Sequence, residues 1–177
     1  MLKAANQNKI RNVATIGLMI AIIEVLKLTL AALPNIELTT FLIIMFTLYF
    51  GKKTFFAIPA FIIIEILIFG FNIFWVLAYF YIWPLLFIVT YLLRKNKNVI
   101  SMSCLSGLFG LFFGFLSSFP YIFISAGHTA SIKYALSWWI AGIPFDLIHG
   151  VSNFIIMLVL FKPVSRVFES SYFLERK

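Results

Sequence analysis

Between Asn12 and Phe161 long apolar runs are broken at a few short polar places, and those breaks set the expected elements. Each run is judged against the roughly 20 apolar residues a helix needs to cross the hydrocarbon of a bilayer. Six spans are expected: residues 12–33, ended by Pro34; 38–50, ended by Gly51-Lys52-Lys53; 54–70, ended by Gly70; 74–93, ended by RKNKN at 94–98; 99–126, ended by GHTAS at 127–131; and 136–161, ended by Lys162-Pro163. The second is too short to cross without tilt or local thinning. The tail VSRVFESSYFLERK predicts a short interfacial helix with Val164, Val167 and Phe168 on one face.

The basic residues orient this arrangement. Lys3, Lys9 and Arg11 precede the first span, Lys52 and Lys53 lie between the second and third, and Arg94, Lys95 and Lys97 lie between the fourth and fifth. Lys162, Arg166, Arg176 and Lys177 follow the sixth. Twelve of the 14 Lys and Arg thus fall on one side; the opposite loops hold only Lys133, and Lys27 lies within span one. Basic loops stay cytoplasmic, so both termini are expected inside. The same asymmetry accounts for the net charge of +8 and speaks against a nucleic-acid surface.

Composition agrees with the pattern. Apolar residues make up 63% of the chain and charged ones 11%, against about 45–50% and about 25% in soluble domains. The expected class is all-α: a polytopic membrane protein with six transmembrane helices and cytoplasmic termini, in a single domain over residues 1–177. The start, MLKAANQNKIRN, has no apolar run leading to a small-residue cleavage site, so no signal peptide is expected. Cys104 is the sole cysteine, which excludes an intrachain disulfide and a cysteine metal cluster. No internal repeat is evident, so an inverted-repeat transporter is not supported.

Polar residues inside the spans carry the functional signal. Glu24, Glu37, Glu65 and Asp146 all fall in or near the outer half of the spans, with Asp146 about 15 Å below the outer end of span six at 1.5 Å per residue. Ionisable groups at such depth are costly and face a bundle interior or a wet cavity. Asp146, His149 and Asn153 are three and four residues apart, so they share a helix face. Together with Lys27 these groups point to an outward-facing polar cavity. Each also has a plainer reading: Glu24 and Lys27 as an intrahelical ion pair, Asp146 and His149 as a structural pair, Glu65 as helix glue, Glu37 as a cap on span two.

Aromatic residues flank the same region. Trp75, Tyr79, Phe80 and Trp83 lie on the outer half of span four, and Tyr121, Phe123, Tyr134, Trp138 and Trp139 near the outer ends of spans five and six. Interfacial belts explain such residues in general, yet Tyr79 and Trp83, four apart, could flank a planar ligand. Toward the inner side, Gly17 and Ala21 on span one and Gly107, Gly110 and Gly114 on span five form small-residue faces that allow close helix approach.

No phosphate-binding GxxxxGK[ST] loop, HExxH, GxSxG or metal-spaced Cys/His cluster is present. Asp146 and His149 are two-thirds of a triad, but the nearby serine, Ser152, lies off their stripe. With its six spans, its outward polar and aromatic cavity and its Gly17-Leu18-Met19-Ile20-Ala21 patch preceded by Ala14, the chain resembles the S components of energy-coupling factor (ECF) vitamin transporters. Over 33–53 and 142–163 it looks like S components for larger or carboxylated vitamins.

The resemblance implies a non-enzymatic, vitamin-binding subunit of a bacterial plasma membrane, without cofactor or metal. It implies capture of a vitamin outside, with cobalamin or a related corrinoid the first expectation and pantothenate the next. Delivery inward would rely on a transmembrane coupling subunit and two ATPase subunits. The implied ligand residues are Lys27, Asn35, Glu37, Glu65, Trp75, Tyr79, Trp83, Tyr121, Trp138, Asp146 and His149, with Ala14, Gly17 and Ala21 as the docking face and residues 33–38 as a lid. Three rivals stay open: a carrier acting alone with Glu24, Glu65 and Asp146 as ion or proton relays, a structural subunit, and a membrane enzyme using Asp146 and His149.

Overall fold

A computed structural model describes the backbone of residues 2–124 and 132–174. The break expected at 127–131, the side chain of Lys3, and Glu175, Arg176 and Lys177 lie outside the described residues. The helices are α1 (Leu2–Leu30), α2 (Thr39–Phe50), α3 (Lys52–Phe69), α4 (Ile73–Leu93), α5 (Val99–Ser117), α6 (Phe119–Ile124) and α7 (Ile132–Leu174), with no strand among the described residues. Among the described residues, four segments are long and apolar enough to cross a membrane: Asn6–Leu30, Ile73–Leu93, Val99–Ile124 and Ile132–Ser170. α2 has only 12 residues, and α3, with 18, carries Lys52, Lys53 and Glu65.

Four boundaries differ from expectation. α1 begins at Leu2 rather than near residue 12, because MLKAANQNKIRN holds neither Pro nor Gly and is rich in good helix formers. Gly51 alone links α2 to α3, at φ +59°, which glycine adopts without steric cost, so Lys52 and Lys53 open α3 instead of lying in a loop. The fifth span breaks at Ser118, whose hydroxyl donates to the Phe115 carbonyl at 2.7 Å, and Pro120 falls in the first turn of α6, where its missing N–H costs little. Lys162-Pro163 does not end α7, which runs 43 residues with Pro163 inside. The tail stays helical against α2: the Phe168 ring packs on Phe46, Tyr49 and Phe50 at 6.1, 5.1 and 5.4 Å. Val167 is 60% exposed, so it does not share a packing face with Phe168.

The buried core runs through the bundle centre on Met19, Ile44, Phe61, Ile82, Leu86 and Met157. The outside is apolar too: Leu18, Leu67, Leu92 and Val159 are each more than 60% exposed. An apolar exterior of this extent requires a non-aqueous surrounding.

Two ends of the bundle are chemically distinct. At one, Phe74, Tyr121 and Trp138 stack, with centroids 4.3 and 4.9 Å apart. At the other, the Lys97 ammonium lies 4.1 Å from the Tyr49 ring, and the Tyr49 hydroxyl bonds Glu169 at 3.1 Å.

α5 and α7 form the closest helix pair. A Cβ on Gly110 would lie 2.8 Å from the His149 carbonyl oxygen and 2.9 Å from Gly150 Cα; one on Gly150 would lie 2.4 Å from Leu111 Cγ. The small residues of span five are thus consumed within the chain. Gly110→Ala is expected to destabilise the fold by about 1–3 kcal/mol through overpacking. Gly142→Ala, where an added Cβ meets nothing within 4 Å, should leave stability to thermal unfolding in detergent unchanged or raise it by up to about 1 kcal/mol, because Ala favours a helix interior over Gly. Equal effects would refute the seam.

Candidate functional site

The α5–α7 seam fixes the rotation of α7, and with it the polar stripe. Asp146, His149 and Asn153 are 8%, 5% and 1% exposed. They do not act as one group. Asp146 Oδ1 accepts from the Gly114 amide at 2.9 Å, so Asp146 belongs to the seam. His149 Nε2 lies 3.1 Å from Glu37 Oε1, so it reaches the loop after α1.

That loop covers a cavity of about 320 Å³. Of the expected ligand residues, Lys27, Asn35, Glu37, Tyr79, Trp83 and His149 line it. Pro34 lines it as part of the expected lid, and Leu30, Thr39, Phe69 and Phe113 join them without having been singled out from sequence. Phe113 was legible in part: it stands four residues from Phe109 on the α5 face that meets Trp83, at 5.6 Å.

The other expected ligand residues lie elsewhere. Trp75 packs behind Tyr79 at 5.2 Å without lining the cavity. Tyr121 and Trp138 belong to the aromatic stack at the bundle end, and Phe123 is 82% exposed. Glu65 sits behind the wall as the partner of Lys27. Asp146 is held by Gly114.

Lys27 is the cation of the cavity wall. Its ammonium bonds Glu65, not Glu24, which corrects the intrahelical pairing. Three rings surround it, Tyr79 at 5.3 Å, Phe61 at 5.4 Å and Phe69 at 5.5 Å, an arrangement that attracts a cation electrostatically. An ammonium carries three donors, and the Tyr79 hydroxyl stands 3.5 Å away as a weak second acceptor.

Glu37 fastens the loop at both ends. Its carboxylate accepts from the Thr39 and Thr40 amides and from the Thr40 hydroxyl, capping α2 as a short acceptor does at a helix N-terminus. It also meets His149, and Ser152 Oγ donates to the Asn35 carbonyl at 3.2 Å. Asn35 adopts φ +59°, a left-handed turn that Asn tolerates better than most residues. Burial pushes the Glu37 carboxyl up, but the bonds from His149, Thr39 and Thr40 outweigh it and hold it down at about 2. Ser152, His149 and Asp146 form no relay: the Ser152 hydroxyl donates to the Asn35 and His149 carbonyls, the imidazole meets Glu37, and Asp146 takes the Gly114 amide.

On the outside of α1, Ala14, Gly17 and Ala21 are all exposed. A Cβ at Gly17 would meet nothing within 4 Å. Comparison with protein-family models, curated proteins and solved structures finds no match to this chain.

The latch predicts coupling between loop and helix. In a double-mutant cycle, Glu37→Gln and His149→Ala should be non-additive by about 0.5–3 kcal/mol in unfolding free energy. Either change should speed amide hydrogen exchange over residues 33–38. Additive effects with unchanged exchange would refute the latch.

Proposed function

We propose that the chain is the substrate-binding subunit of an ECF-type importer. In this reading it crosses the membrane six times with both termini cytoplasmic. It captures a vitamin outside and delivers it inward with a transmembrane coupling subunit and two ATPase subunits. The observation that carries the proposal is the roofed cavity: aromatic walls, one cation and a loop pinned to α7 by the Glu37–His149 contact. A concave, mostly apolar site with a few polar anchors suits a small organic ligand.

Two further observations support it. Ala14, Gly17 and Ala21 leave a smooth uncovered strip on α1, of the kind that lets another helix approach closely. The bundle end that gathers Lys97, Tyr49 and Glu169 is the one toward which the basic breaks point, consistent with a cytoplasmic face.

Cobalamin or a related corrinoid is the first ligand, and pantothenate the next. At about 320 Å³ the cavity is at the small end of the about 300–1,000 Å³ range of small-molecule sites. It suits a compact ligand as it stands, and a corrinoid enters only with residues 33–38 displaced. A carrier working alone is the second reading, favoured by the buried carboxyls Glu24 and Glu65; it would move substrate in liposomes without ATP.

Native mass spectrometry of the gently purified chain, followed by titration with a vitamin panel, tests the proposal. One vitamin per chain is expected. Tyr79→Ala or Lys27→Met should weaken its binding by tenfold or more, about 1.4 kcal/mol. No binding across the panel would overturn the reading. Gly17→Leu should spare binding and abolish ATP-dependent uptake in the reconstituted complex; loss of both would refute the docking face.

A further inference from the structure

Behind the cavity wall lies a charge imbalance that the ligand reading does not use. Glu24 of α1 is 6% exposed and Glu65 of α3 is 2% exposed. The two carboxyls face each other. Glu65 Oε2 accepts from Lys27, while Glu65 Oε1 and both oxygens of Glu24 are sealed from water and meet no donor. The other ionisable groups near the cluster add no positive charge to it. Tyr79 of α4 reaches only the Lys27 side, Glu37 and His149 satisfy each other across the cavity, and α2 brings only Thr39 and Thr40 to this end.

Two buried carboxylates and one ammonium at the cavity wall leave one negative charge without a partner. A buried unpaired charge of this kind neutralises rather than persists, and two adjoining carboxylates do not both stay ionised. A single proton solves both problems. It brings the cluster to neutrality and supplies the one donor that the facing oxygens lack.

We infer that Glu24 and Glu65 form a proton-binding site, sharing one proton as a carboxylic acid–carboxylate pair anchored by Lys27. Glu65 is the ionised member, held by the ammonium, and Glu24 carries the proton and donates to it. The site also gives the Lys27 ammonium, in the last turn of α1 among three aromatic rings, an ionised partner.

Infrared spectroscopy of the ligand-free chain at neutral pH, in H2O and D2O, tests this. The wild type should show a carboxylic-acid C=O band that shifts in D2O. Glu24→Gln should remove it, because Glu65 alone balances Lys27. Glu65→Gln should remove it too, because Glu24 then ionises against Lys27. Lys27→Met should raise the band about twofold, since both carboxyls must then be neutral. Asp146→Asn should leave it intact. Absence of the band in the wild type, or its persistence in both Gln variants, would overturn the inference. The measurement needs no ligand, so its outcome is independent of what the cavity binds.

Discussion

The backbone contact between α5 and α7 governs the rest of the molecule. With Gly107 and Gly110 facing Gly150, and Gly114 facing Asp146, the two helices approach until main-chain atoms touch. That closeness lets Asp146 reach the Gly114 amide and fixes which way α7 is turned. Once it is turned, His149 has one place to go, and Glu37 meets it there. The loop, the cap on α2 and the cavity roof all follow from a seam too tight for a methyl group.

Much of the fold was legible because apolar runs and helix breakers are local signals. The starts of α2, α4 and α5 fell within about a residue of expectation. The misses came where a breaker was overruled. Pro163 normally ends or kinks a helix, yet the aromatic contacts of Phe168 with α2 hold the chain helical beyond it. The polar start of α1 lies outside the apolar run that marks the first span, although nothing in it opposes a helix.

The site was legible as a set of residues and not as a set of pairs. Spacing placed Asp146 and His149 on one face, and both are buried there. Spacing could not say that the acid would turn to Gly114 and the imidazole to Glu37, since those partners lie 32 and 112 residues away. The same blindness made Glu24 the natural mate of Lys27 by helical spacing, whereas the ammonium crosses to Glu65 on α3. Aromatic residues divided by depth: Tyr79 and Trp83 turn inward, and Tyr121 and Trp138 stack at the end of the bundle.

α7, at 43 residues, is about 65 Å long at 1.5 Å per residue, well beyond the about 40–45 Å of a bilayer with its headgroups. Near the middle of this rod His149 makes the contact to the roof, and toward its far end Phe168 clasps Tyr49 and Phe50. The seam with α5 holds α7 at this same stretch, through Asp146, the His149 carbonyl and Gly150. The roof contact thus rides on the most tightly held stretch of α7, about 28 Å along the helix from the Phe168 clasp, with Pro163 between the two.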